Sequence, residues 1–521
     1  MDELIKRFSK LVKGYISGFD RIVFKGMLLP LMYSQGAMDF CRTRGILNKD
    51  YKAWMMKNTA AIVEYTDHYA QSHCGQGIIP ISTWRIRKEE LAHDRQQKEG
   101  IKQGLIGVWS CQEGGSSYRA SYCAKTGYPQ LQNYQTRCKH LYFYFDHEEL
   151  GFMNVRLQTW FPYGIQVHLN GREWLRRKLE SEKIDFCAHK NKFFQIDDYA
   201  KAQTILNGQL GSRWADILNG FLPTVFPMMK DILGDHLSYY WTMWQSEWAS
   251  DLIFNSPEDL SSIMDSLIRH AHMTGTSTRV LRYLDRPIKM DGSPDFRSND
   301  EVVTRINRFN DGVRIRHWVD HNSVKVYNEK NVLRTEMTMN KPEKFRVHRH
   351  KQGQSPDEKK SRLSLRKGVA DVALRARVSK EVNDRFMKDI ATLGDQTPVH
   401  EIINVITRAR IQNGRRIRAL DPTGKDRDLL QMISDPKFRV SGLTNRTLRE
   451  GLVKTQWASD RTEKQLSARA SRYLRLLRDH GIIKKLPEQN KYQLTTRGTK
   501  VANILNAFLA ASTQELMKMA A

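Results

Sequence analysis

Residues 461–508 constrain this chain more than any other stretch. Between 463 and 480, apolar side chains recur at Leu466, Ala470, Tyr473, Leu474 and Leu477, the spacing of one buried helix face. Gln465, Arg469, Arg472 and Arg475 fall on the other side, and Gly481 follows where a left-handed cap ends a helix. Two short strand-like runs come next, 482–486 and 491–495, joined by the turn Pro-Glu-Gln-Asn and carrying Lys484, Lys485 and Lys491. Val501, Ile504, Leu505 and Phe508 mark a last amphipathic helix. Upstream, 428–433 and 445–453 supply two more helical patches, with Gly442 and Thr444 between them.

Helix, helix, arginine-rich helix and basic hairpin is the order of a winged-helix domain, expected over 421–521. The run "SARASRYLRLLRDHGIIKKLPEQNKYQLTTRG" also resembles the winged helices of bacterial regulators such as the MarR family. In that motif the N-terminal part of the reading helix faces base edges, which assigns Arg469, Arg472 and Arg475 to base contact. Lys484, Lys485 and Lys491 on the wing would meet phosphate. Winged helices also serve protein contacts, but so basic a reading helix favours nucleic acid.

The charge is uneven. The net charge is +27, and residues 341–521 alone hold 39 Lys and Arg against 19 Asp and Glu, a net of +20. Such asymmetry joins a polyanion-binding half to a more ordinary globular half. A membrane surface is the rival polyanion. No apolar run approaches the roughly 18 residues of a spanning helix, and MDELIKRFSKL is no signal peptide. Six cysteines in 521 residues do not make a disulfide framework, so a cytoplasmic protein is expected.

Taken in order, the chain reads as an α+β protein. An N-terminal domain over 1–200 begins with a short helix, followed by a strand at 19–25 carrying Asp20 near its start. Helices follow at 35–45, 51–71 and 88–99, with strands at 78–81 and 104–110. Meandering strands between 138 and 171 precede a helix at 173–180, which implies a largely antiparallel sheet with helices on one face. The region 201–340 completes this body. Residues 200–285 read as mostly helical, and an aromatic helix through Tyr239, Tyr240, Trp241, Trp244, Trp248 and Phe254 reads as core. Glu247 and Asp251, four apart, project from one face of that helix. Strands follow at 312–317, 323–327 and 332–339, where alternation puts Lys325, Tyr327, Arg334 and Glu336 on one face. The region 341–420 reads as a basic linker followed by helices at 369–391 and 401–418. The second ends in "RARIQNGRRIR", whose Arg415, Arg416 and Arg418 extend the nucleic-acid-binding set.

Catalytic motifs are sparse. There is no GxxxxGK[ST], no HxH pair beyond the half-match Gln166-Val-His168, and no serine or cysteine hydrolase signature. Cys111, Cys123, Cys138 and His140 lack the paired spacing of a zinc site. Carboxylates are more suggestive, since metal-dependent nucleases and transposases converge two or three of them on magnesium. A ribonuclease-H-like arrangement would use Asp20 on an early strand and Asp251 or Glu247 on a late helix, with Asp20 and Asp251 as metal ligands. Glu113 just past a strand end is the middle member, and Asp146 its alternative.

The runs "CKHLYFYFDHEELGFMNVRLQTWFPYGIQVHLNG", "YYWTMWQSEWASD" and "VKVYNEKNVLRTEMTMN" resemble a functionally uncharacterised family of long bacterial proteins associated with mobile elements. The stretch "VKVYNEKNVLRTE" is also similar to the Y-x-K…R-x-E signature of plasmid replication initiators. That likeness implies metal binding by Glu336 within a Tyr327, Lys330, Arg334, Glu336 motif. Two readings result. One is a binding module that grips DNA or structured RNA and needs no cofactor. The other is a magnesium-dependent nuclease, transposase or nicking initiator.

Overall fold

In the computed structural model, residues 12–27 do not stop at a short strand but run as one 16-residue strand, β1 (Val12–Met27). The structure describes residues 2–510 except 83–85, 275–276, 287–300, 310–311, 352, 356, 391–398, 413, 434–441, 454, 456–457, 459–461 and 487–489. The chain divides into two compact units, residues 1–272 with 303–391, and residues 273–302 with 392–521.

The first unit is built on an eleven-stranded sheet. Its strands are β1, β2 (Ile79–Pro80), β3 (Gly104–Cys123), β4 (Tyr128–His147), β5 (Gly151–Gln158), β6 (Ile165–Asn170), β9 (Tyr240–Phe254), β10 (Val302–Phe309), β11 (Gly312–Val319), β12 (Asn322–Glu329) and β13 (Val332–Met339). Their spatial order is β10-β11-β12-β13-β9-β1-β6-β5-β4-β3-β2. Pairings from β11 through to β3 are antiparallel, and β2 lies parallel to β3. Two hairpins lie outside this sheet, β7 (Phe186–His189) with β8 (Lys192–Ile196) and β14 (Arg346–Arg349) with β15 (Ser361–Ser364).

The expected aromatic helix at 239–254 is a strand. In β9 Trp241 and Met243 enter the core, a bulge at Trp244 leaves that ring exposed and shifts the alternation by one, and Trp248 beyond it is again buried. The helical expectation holds on either side, over Tyr199–Gly208 to Met229–Leu233 and again over Pro257–Thr274.

Helices cover both faces of the sheet, where one was expected. On the back, Phe19, Phe24, Phe143, Val155 and Val167 pack with Ala37, Tyr51, Met55 and Ile62 from the helices Ser34–Thr43 and Tyr51–Cys74. The helix Val372–Ile390 lies there too, under β9 and β13, and so belongs to this body and not to a linker. Its buried Arg375 donates to Ser246 Oγ at 2.8 Å and Met339 O at 2.6 Å. Its Asn383 reaches Trp248 O and Thr335 O, both at 3.1 Å. On the front, the helices Gly171–Ser181 and Tyr199–Gly208 and the β7–β8 hairpin bury Ile16, Ile253 and Val332. Gly18 permits that close approach, because a Cβ there would lie 2.9 Å from Leu206.

In the second unit, the helix Glu463–Asp479 buries Ala470, Leu474 and Leu477 as its spacing predicts. It ends in a Schellman cap: Gly481 at φ 69° donates to Arg478 O and Ile482 donates to Leu477 O. The helices Arg427–Ile433, Asn445–Leu452 and Thr496–Ala510 share its core. The expected helix over 401–418 is corrected. It stops at Thr407, and β16 (Arg410–Gln412) pairs with β17 (Arg415–Ile417) as a hairpin. Gly414, before β17, takes φ 71°, a conformation glycine adopts at no steric cost. A further hairpin, β18 (Ile483–Lys485) with β19 (Tyr492–Leu494), adds Ile483 and Leu494 to the core. The expected wing turn falls largely on residues 487–489, outside the described residues.

Candidate functional site

Three neighbouring strands, β1, β9 and β13, bring carboxylates together near the middle of the sheet. Antiparallel register puts Arg334 opposite Asp251 and Thr338 opposite Glu247, so Glu247, Asp251, Arg334 and Glu336 share the front face. Against β1, Phe19 pairs with Trp248 and Ile22 with Ser246. Two residues, Asp20 and Arg21, therefore face the single Glu247. Such a bulge re-aims side chains, and here Asp20, Glu247 and Glu336 each place a carboxylate oxygen within 4.8 Å of the others.

A second layer holds these groups in place. Asn191, at the β7–β8 turn, donates to both oxygens of Asp20 at 2.6 and 2.7 Å. Arg334 is fully buried and reaches Asp20 Oδ2 at 3.1 Å. Tyr327 donates to Glu336 Oε2 at 3.1 Å, and the Lys325 ammonium pairs with Oε1. Glu247 takes no hydrogen bond or ion pair among the described residues. Burial and then the charge of Glu336 push its carboxyl up to about 7. Burial also raises Asp20, only partly offset by Arg334. Glu336 is held below the usual carboxylate range because Lys325 and Arg334 outweigh its burial. Three carboxylates this close cannot all ionise cheaply without a cation between them.

The expected catalytic set is only partly assembled. Asp20 and Asp251 do meet, but through Arg334, which gives Asp251 two hydrogen bonds. Arg172 adds a contact to Asp251 Oδ2 at 3.1 Å. Burial raises the Asp251 carboxyl less than these two arginines lower it. Asp251 is thus saturated by guanidinium and is not in the carboxylate cluster, which corrects its expected place as a metal ligand.

Glu113 is corrected as well. It lies inside β3, with β4, β5 and β6 between that strand and β1, about 19 Å away at strand spacing. It pairs with Lys88 at 2.9 Å and Arg156 at 3.0 Å and accepts from Tyr142 at 2.7 Å. Despite burial, those hydrogen bonds and Arg156 hold it down to about 2. Asp146 lies within β4, five strands from Glu336, and pairs with Arg177. A ribonuclease-H-like late helix has no counterpart in the cluster, since all three members come from strands. Glu336, absent from the carboxylate proposal, was visible through the replication-initiator likeness and through alternation. Lys325 opposite Glu336 and Tyr327 opposite Arg334 are the register partners that alternation implies. Cys111, Cys138 and His140 lie on the paired strands β3 and β4, Cys123 ends β3, and no described group of ligands includes them.

In the second unit, Arg415, Arg416 and Arg418 on and after β17 and Arg469, Arg472 and Arg475 on the arginine-rich helix line one cleft of about 500 Å³. Arg418 forks onto the buried Asp426, with both N–O distances 2.6 Å, and so braces the hairpin. Lys484 and Lys485 are exposed on β18, Lys491 lies just before β19, and none of the three lines the cleft.

No helix among the described residues is long and apolar enough to cross a membrane. All six cysteines are free. Comparison with protein-family models, curated proteins and solved structures finds no match for the chain.

Proposed function

We propose that this protein processes nucleic acid. Its first unit hydrolyses phosphodiester bonds with a divalent cation held by Asp20, Glu247 and Glu336, and its second unit grips the nucleic acid through the arginine cleft. The observation that carries this reading is the convergence of three carboxylates, within 4.8 Å, from three strands whose sequence positions span more than 300 residues. An all-oxygen donor set with several anionic charges suits magnesium or manganese, not zinc or copper.

When bound, such an ion polarises a phosphoryl oxygen and lowers the pKa of a coordinated water. The chain's own groups prepare that chemistry. Lys325 and Arg334 keep Glu336 ionised and available as a ligand. Asn191 and Arg334 fix the Asp20 carboxylate. Glu247, poised near 7, can release its proton as a cation arrives or take one from an attacking water. Water oxygen adds to phosphorus, the ester P–O bond breaks, and one phosphate-ended and one hydroxyl-ended strand result. The order of helices and basic hairpin in the second unit supports a winged-helix reading of residues 421–521. The mobile-element resemblance fits an enzyme that cuts its own element's ends.

A pure binding module is the second reading, favoured by the arginine cleft of about 500 Å³, which needs no metal. Full-length protein incubated with end-labelled single strands and duplexes separates the two. Cleavage that requires magnesium or manganese and disappears in Glu336→Gln supports the enzyme. Tight binding without cleavage under any metal supports the module.

A further inference from the structure

The front face of the sheet carries a second polar patch, separate from the carboxylates. Lys25 on β1 and Arg156 on β5 both lie opposite Gln166 of β6, in line across three strands. With Gln135, His140 and Gln158 they line a cavity of about 230 Å³. Lys25 meets no carboxylate among the described residues. Its ammonium lies instead 4.8 Å from the ring centre of Trp244, and Lys367 Nζ lies 4.5 Å from the same ring. Arg156 gives one nitrogen to Glu113, but its buried Nε has no partner among the described residues.

The backbone holds this arrangement open. Val23 pairs with Gln245 and Phe24 with Met243, which leaves Trp244 as the extra residue of a bulge, 43% exposed. Lys367 is brought to it because its carbonyl accepts from Met243 N at 2.8 Å. Of these three cations only Arg156 is paired with a carboxylate, Glu113, among the described residues. Burial and the charges of Arg156 and Lys367 push the Lys25 ammonium below its ordinary value, a sign of uncompensated positive charge. An anion in the cavity would relieve that repulsion. Lys25 lies four residues along β1 from Arg21, about 13 Å at strand rise.

We propose that Lys25, Arg156 and Lys367 form a phosphate subsite that seats the backbone of a single nucleic-acid strand beside the carboxylate cluster. This deepens the proposed function and rests on it. The cavity of about 230 Å³ lined by Lys25 and Arg156 has room for a phosphate with its sugar, and Lys367 lies beside it on the Trp244 ring; a single strand is assigned because only unpaired bases are free to stack on a side chain. Trp244 offers an exposed ring for the adjoining base, as in other single-strand grooves.

The test is calorimetric titration of the full-length protein, in EDTA, with 5′-phosphorylated thymidine dinucleotide and separately with inorganic phosphate. The dinucleotide should bind without metal. Lys25→Gln and Lys367→Gln should each weaken it by about tenfold, the scale of one charge-assisted contact, and Lys25→Arg should restore it. Lys52→Gln, at an exposed position of the helix Tyr51–Cys74, should leave it unchanged. Because the titration is run without metal, failure of the metal reading and failure of the subsite give different results. Equal loss in Lys52→Gln, or no loss in Lys25→Gln and Lys367→Gln, would overturn the subsite. Inorganic phosphate binding as tightly as the dinucleotide would overturn the strand assignment.

Discussion

Arg334 grips Asp251 at two points, Nε to Oδ1 at 2.5 Å and Nη2 to Oδ2 at 2.8 Å, with both side chains fully buried. The pair organises charge inside the sheet, because the third nitrogen of Arg334 is left for Asp20. Removing one partner of a buried ion pair leaves the other unpaired. Arg334→Met should therefore cost about 3–5 kcal/mol in urea denaturation. Asp251→Asn should also lower the unfolding midpoint, and refolded Asp251→Asn should still bind metal. Loss of metal binding in Asp251→Asn at unchanged stability would restore it as a ligand.

Glu247 makes stability depend on pH with a definite sign. Its folded carboxyl titrates near 7, above the ordinary 4.5, because of burial and the neighbouring Glu336. Between those values the folded protein holds a proton that the unfolded chain has released, so the metal-free protein loses stability as pH rises through that window. Glu247→Gln removes the penalty. In EDTA near pH 8 the variant should be more stable by on the order of 2 kcal/mol, and the gain should vanish near pH 4. Thermal unfolding across that range checks it, and a pH-independent difference would contradict it.

Much of the site was legible, in part for reasons indifferent to the element type. Four residues make about one helical turn and also two strand periods, so Glu247 and Asp251 share a face whether 239–254 is helix or strand. The aromatic run there has the side chains strands favour, but its buried positions blur the alternation that marks a half-exposed strand. Alternation did place Lys325, Tyr327, Arg334 and Glu336 together. The bulge at Asp20 and Arg21 has no local sequence signal, since it exists only against Glu247, more than 200 residues away. The hairpin at 410–417 had its signal in Asn413-Gly414, overridden by the helical look of the arginines flanking it.

In the proposed function the arginine cleft bears on affinity more than on chemistry. Neutralising Arg472 and Arg475 together should lower the slope of log affinity against log salt on duplex DNA by about 0.9 for each phosphate they neutralise. If Arg472 makes a bidentate base contact, its removal should cost about 1–3 kcal/mol on the preferred site and less elsewhere. Neutralising Lys484, Lys485 and Lys491 should weaken all sequences alike. An unchanged salt slope in both sets, measured by fluorescence anisotropy, would remove the second unit from the interface.

Manganese binding to the full-length protein, followed by electron paramagnetic resonance, tests the central claim most directly. Wild type should bind the ion stoichiometrically, Glu247→Gln and Glu336→Gln should lose that binding, and Glu113→Gln, about 19 Å from the cluster, should keep it. Wild type that binds no manganese, or binding that survives both substitutions in the cluster, would contradict the proposed metal centre.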